Sequence, residues 1–231
     1  MLRIDGLNQC YGQSQTLWDI ALEAPEGALV CLMGRNGVGK TTLLKAIMGL
    51  IPLRSGAIYF KGEDLAGRPA ERRAPLGIGY VPQGRQIFPL LTVEENLRIG
   101  LPIRKDRLKR VPEFIYEMFP VLKSMLKRRG GDLSGGQQQQ LAIGRALVIQ
   151  PTLLILDEPT EGIQPNIVHE IGEVIRRLNR EQGMTVLLVE QKLGFARQVA
   201  DRFCILDKGR VVASGPMATL DDGLVRQYLT V

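Results

Sequence analysis

Three short stretches hold the side chains with which this chain could do chemistry. In "GRNGVGKTT", residues 34–42, Gly34 and Gly39 frame a loop that runs into Lys40 and Thr41. That spacing suits a polyphosphate. Glycine lets the backbone turn tightly and aim N–H groups at phosphate oxygens, and a helix starting at Lys40 would point its positive end at the same charge. Lys40 would supply a point charge to the outer phosphates, and the Thr41 hydroxyl a ligand for Mg²⁺. In "LLILDEPT", residues 153–160, four apolar residues end in Asp157 and Glu158. A buried strand would carry both acids at its tip. Asp157 would serve the metal, and Glu158 would polarise an attacking water. Alone, two such acids would be strand-end caps; a phosphate loop in the same chain favours the catalytic role. In "DLSGGQQQQLAIGRAL", residues 132–147, Ser134 is a good N-cap residue, and Gly135 and Gly136 expose the first-turn backbone. This is a second anion-binding helix terminus.

Positioning these groups needs a framework. The segments "LRIDGL", "GALVCLMG", "GAIYF", "GIGYVP", "LLILDEP", "TVLLVEQ", "RFCILD" and "RVVASG" read as strands. Helical patterns cover 40–50, 93–99, 111–126, 136–149, 167–181 and 193–200. Strands alternating with helices predict an α/β fold with a parallel sheet, and "DKG" at 207–209 predicts a hairpin. Residues 1–83 and 150–231 are expected to form one α/β core, interrupted at about 84–149 by a helical subdomain. The strand "TVLLVEQ" ends in Glu190 and Gln191, and side chains at such tips face ligands in α/β proteins.

Composition narrows the function classes. The 231 residues are 45% hydrophobic, enough for a sizeable core, but only 5% aromatic, so that core must be aliphatic. No run approaches the length of a membrane span, and the N-terminus lacks a secretory pattern, so a cytosolic chain is expected. Cys10, Cys31 and Cys204 are dispersed and predict neither disulfides nor a zinc site. The net charge of +6 comes without interleaved aromatics, so no nucleic-acid partner is expected. "RKDRLKR" at 104–110 reads as a solvated helix face.

Over essentially its whole length the chain resembles ATP-binding subunits of ABC transporters. Residues 34–42 match Walker A, "LSGGQ" at 133–137 the signature, and 153–158 Walker B with its adjacent glutamate. Gln83 in "YVPQG" is similar to the Q-loop glutamine, and Tyr11 in "NQCYG" to the aromatic that stacks on adenine. The resemblance implies a P-loop ATPase with a mixed core sheet, an antiparallel β portion and an inserted helical subdomain. It implies that Tyr11, Gly34, Arg35, Asn36, Gly37, Val38, Gly39, Lys40, Thr41, Thr42 and Gln83 bind ATP, with Thr41, Gln83 and Asp157 serving Mg²⁺. Glu158 would be the base. Ser134, Gly135, Gly136 and Gln137 would close over ATP held by a second ATPase subunit, in a heterodimer or a homodimer. Membrane permease subunits and, through them, a solute-binding protein would be the other partners, with the chain peripheral on the inner face of the cell membrane. "LTVEENLRIGL", "EPTEGIQPNIV" and "LLVEQ" resemble the importer branch for branched-chain amino acids and urea. "VPQGR", "SGGQQQQLAIGRAL" and "FARQVADRF" lean to the urea-type subunit, with branched-chain or other amino acids as the alternative solute. A soluble ABC ATPase outside transport is the competing class; a single cassette with a short helical insert disfavours it.

Two positions depart from the family pattern. Gln191 stands where a histidine usually meets the γ-phosphate, so it could donate a hydrogen bond there but not shuttle a proton. Gln164 replaces an aspartate usual in the loop that crosses the dimer interface. The one histidine, His169, is expected on a helix without a catalytic role.

Overall fold

The computed structural model describes residues 1–229. Its centre is a six-stranded sheet of order β10-β9-β3-β8-β7-β6. The strands are β3 (Leu29–Met33), β6 (Ile78–Val81), β7 (Leu153–Asp157), β8 (Thr185–Val189), β9 (Arg202–Asp207) and β10 (Arg210–Pro216). β3 pairs in parallel with β8 and β9, and β7 with β6 and β8; only β10 runs antiparallel. The expected 207–209 hairpin joins β9 to β10, with Lys208 and Gly209 both at positive φ, as a two-residue turn with the sheet's twist requires.

Continuous apolar runs make the central strands buried on both faces. Alternate side chains of β3 therefore enter different cores. Val30 and Leu32 join Leu43, Leu44 and Ile47 of α1 (Lys40–Ile47). Leu29, Cys31 and Met33 join the layer made by α6 (Gly135–Val148), α7 (Pro165–Gln182) and α8 (Leu193–Val199). Cys31 and Cys204 are buried, and burial pushes both thiols well up. The far side of α1 is roofed by an antiparallel sheet of order β2-β1-β4-β5, from β1 (Leu2–Tyr11), β2 (Ser14–Ala24), β4 (Ser55–Phe60) and β5 (Glu63–Asp64). The short α2 (Ala70–Arg73) follows, and α9 (Asp222–Tyr228) lies near the C-terminus. No helix among the described residues is long and apolar enough to cross a membrane.

Between β6 and β7 the chain forms α3 (Val93–Arg98), α4 (Glu113–Met118), α5 (Pro120–Ser124) and α6. The helix expected over 111–126 is two helices, because Pro120 starts a new one at its first position. The segment 104–110 is not a helix face. Arg104 is buried, donates to Val148 O at 2.5 Å and pairs with Asp106, so it anchors the loop to the end of α6. His169 lies on an exposed face of α7, 3.9 Å from Glu173.

Thr92 and Ser134 each form a capping box, with Glu95 and Gln137 answering three residues on. Replacing Ser134 with alanine removes one such cap and should lower stability by about 1 kcal/mol. The midpoint of urea unfolding measures this, and an unchanged midpoint would mean the cap contributes nothing.

Candidate functional site

The loop 34–39 links β3 to α1, and its glycines are there of necessity. Gly34 has φ 144°, and a Cβ on it would lie 2.3 Å from Leu206 O on β9. Gly39 has φ 110°, and its Cβ would strike Leu17 of β2 at 2.7 Å. Both sheets thus press on the loop, and only a bare backbone fits. Gly39 caps α1 with no side-chain hydrogen bond, which leaves first-turn amides open to an anion.

Lys40 is buried and folds back onto the loop, donating to Gly34 O at 2.7 Å and Arg35 O at 2.9 Å. Glu158 Oε1 lies 3.8 Å away. Burial pulls the lysine below its ordinary value, against the opposing pull of Glu158 and Asp157. Asp157, at the tip of β7, is 1% exposed. Burial pushes its carboxyl up to about 6, opposed by the nearby Thr41 hydroxyl and Lys40, with Glu158 adding to the rise. Neither Asp157 oxygen has a partner in hydrogen-bond geometry, so the Thr41 hydroxyl is a neighbour and not a bonded donor. An unpaired buried carboxylate is costly to keep charged.

Glu158 follows in a left-handed conformation, φ 50°, rare for a residue with a side chain. Its amide donates to Val189 O at 2.9 Å, tying the β7 tip to β8. Gln191, just past β8, donates through Nε2 to Glu158 Oε1 at 2.6 Å and to Asn36 Oδ1 at 2.6 Å. Gln83, past β6, donates to Glu161 Oε2 at 3.0 Å and Glu158 Oε2 at 3.4 Å. Three strand tips therefore converge on one carboxylate beside the phosphate loop. A cavity of about 190 Å³ opens there, lined by Thr16, Asn36, Gly37, Gly39, Lys40, Thr41, Thr42, Gln83 and Glu158. Thr16 was not anticipated, since nothing in its sequence neighbourhood marks the β2 end as a site wall.

Of the other expected residues, Gly34, Arg35, Val38, Asp157 and Gln191 lie outside this lining but on the loop and strand tips beside it, and two groups lie elsewhere. Tyr11 stands half-exposed at the β1 end, across from Ser14. Ser134, Gly135, Gly136 and Gln137 form the first turn of α6, where the Arg85 guanidinium covers Gly135. Gln164, the N-cap of α7, makes no side-chain capping bond. Among the described residues no group of three or more His, Cys, Asp or Glu could hold a metal ion.

Residues 17–161 match the ABC transporter family. The chain is 44% identical to a high-affinity branched-chain amino acid transport ATP-binding protein of Pseudomonas aeruginosa, covering 95% of this chain and 94% of that one. A "probable branched-chain amino acid transport ATP-binding protein" of Archaeoglobus fulgidus is 38% identical over 93% and 92%. Among solved structures, a dimeric ATP-binding cassette in a post-hydrolysis state bound to ADP and Pi superposes with a TM-score of 0.83, at 26% identity over 94% of this chain and 99% of that one.

Proposed function

Because the chain belongs to the ABC transporter family, as an ATP-binding subunit that hydrolyses ATP in support of transport, we propose that it energises an importer of branched-chain amino acids. The observation that carries this is the likeness, over nearly the full chain, to two ATP-binding proteins named for that solute class. The urea reading rests on local sequence variants alone, and these relatives favour the amino-acid alternative over it. The chain would sit on separate permease subunits at the inner face of the membrane, paired with a second ATPase subunit and served indirectly by a solute-binding protein.

In this reading the amides of 34–42 bind the β- and γ-phosphates, Tyr11 takes the adenine, and Lys40 leaves the loop carbonyls for a phosphate oxygen. The two unpartnered oxygens of Asp157 beside the Thr41 hydroxyl are a donor set that fits a hard cation. Gln83 would complete it by turning its amide oxygen inward. Mg²⁺ bound there would neutralise charge on the phosphate oxygens. Glu158 orients the attacking water and accepts its proton. Gln191, now holding Glu158 Oε1, keeps the base from swinging away and would donate to the γ-phosphate. Ser134, Gly135 and Gly136 would cover ATP on the partner subunit, so ATP joins the two and hydrolysis parts them.

The test is ATP hydrolysis by the chain reconstituted in vesicles with its permease and partner subunits and the solute-binding protein. Leucine, isoleucine or valine should stimulate turnover, and urea should not. Stimulation by urea alone would overturn the amino-acid assignment.

A further inference from the structure

Glu190 is 3% exposed at the end of β8, where the alternation of the strand would accept an apolar residue. Among the described residues no ion pair holds it. Its carboxylate is met instead by three hydrogen-bond donors. Oε2 accepts from the fully buried Thr160 hydroxyl at 2.7 Å. Oε1 accepts from the backbone amides of Gln191 at 2.8 Å and Lys192 at 3.0 Å. Lys192 Nζ closes the figure by donating to Thr160 O at 3.0 Å. Burying a carboxylate costs several kcal/mol unless such donors meet it, so every one of these contacts is under demand.

The two ends of this network are informative. Thr160 lies two residues after Glu158 in the loop leaving β7; Gln191 and Lys192 form the loop leaving β8. Between them stands the 2.6 Å contact from Gln191 Nε2 to Glu158 Oε1. Gln191 is exposed and so is not held by packing, and the Glu158 side chain, 11% exposed, hangs from a strained left-handed backbone. A constellation of this kind must be kept within about 0.5 Å of its working geometry by groups behind it. Behind that contact the Glu190 carboxylate bonds both loops from a buried position, and Lys192 Nζ ties them a second time.

We infer that Glu190, through Thr160 and the Gln191 amide, is a positioning residue that fixes the base Glu158 against Gln191. This rests on the reading of Glu158 as base. It touches no phosphate itself, so it should govern turnover and leave ATP affinity alone.

The experiment measures kcat, KM for ATP and Tm in the assembled transporter. Glu190→Gln keeps the shape but offers an amide where an acceptor is needed. It should lower kcat by about 10–10²-fold, the scale for small misplacements of reacting groups, at unchanged KM. Thr160→Val should act in the same direction, and Thr160→Ser, which keeps the hydroxyl, should restore the rate. On a Glu158→Gln background, Glu190→Gln should cost nothing more. Wild-type kcat in Glu190→Gln would overturn the inference, as would a further loss on the Glu158→Gln background. So would failure of Thr160→Ser to restore the rate, or parallel losses in KM and Tm, which mark a merely structural role. A Glu158→Gln variant that turns over normally would instead remove the base assignment, and this inference with it.

Discussion

Glu158→Gln lowers ATP turnover in the assembled transporter by about 10²–10⁴-fold, the range for loss of a general base, while ATP binding survives. The amide is nearly the same size, so the local packing is kept, and its single oxygen can still accept from Gln191 while the contact from Gln83 is given up. What it loses is proton affinity and charge. In the proposed mechanism the carboxylate takes a proton from the attacking water; the carboxamide cannot. Lys40 also loses a carboxylate 3.8 Å away, beside its bonds to Gly34 O and Arg35 O. A phosphate would replace all three. With hydrolysis blocked, ATP should hold the paired ATPase subunits together, and size-exclusion chromatography with ATP and Mg²⁺ should show a persistent dimer. Normal turnover would place the base elsewhere. A normal affinity with turnover lost, against a smaller loss in Gln191→Ala, would assign Glu158 the proton and Gln191 the placement.

The loop at 34–39 and the capped start of α6 were legible in the sequence because their determinants are local. A loop between Gly34 and Gly39 needs bare backbone on any sheet that crowds it, and a Ser134 cap with Gln137 three residues on needs only its own helix. The structure puts them where those local rules say. Long-range placement was not legible. β2 escaped notice although Leu17, Ile20, Leu22 and Ala24 are all buried. Its pairing with β1 jumps between Leu17 and Ile20, and Asp19 takes a left-handed turn there, φ 48°. That bulge inserts a step into the period of two on which a strand is recognised. Thr16, at the start of the same strand, was lost with it. Glu190 read as part of a polar tip. Its value lies in reaching Thr160, 30 residues upstream, and no periodicity in the sequence announces such a pair. Arg104 shows the converse error: a run of charges suggested a wet helix face, but the loop folds Arg104 under the end of α6.

Asp157→Asn should make the metal-free protein more stable at pH 7.5. The reason is the sign of the shift. Burial raises the Asp157 carboxyl from 3.8 to about 6 in the fold, so the folded state prefers the neutral acid more than the unfolded chain does. Stability from this group is therefore complete below pH 4 and is lost as the pH rises through 6. The unfolded chain gains free energy on ionising that the folded chain cannot match. With a rise of about two units at roughly 1.4 kcal/mol each, the penalty at pH 7.5 is about 3 kcal/mol. For a chain of this length that corresponds to a gain in Tm of about 6–12 °C for the asparagine variant. Asparagine is neutral at every pH, as the protonated acid is, so the two proteins should converge at low pH. At pH 5 linkage leaves about half the difference. Melting curves with a chelator present, at pH 5 and 7.5, measure this directly. Adding ATP and Mg²⁺ should reverse the order at pH 7.5, because only the carboxylate gains a cation to hold and ligand binding stabilises the protein that binds it. A variant less stable than wild type at pH 7.5 in chelator, or a difference independent of pH, would mean that Asp157 already finds a compensating partner without the metal. The carboxylate would then be a structural group, and the orphaned oxygens would no longer argue for a cation beside Thr41.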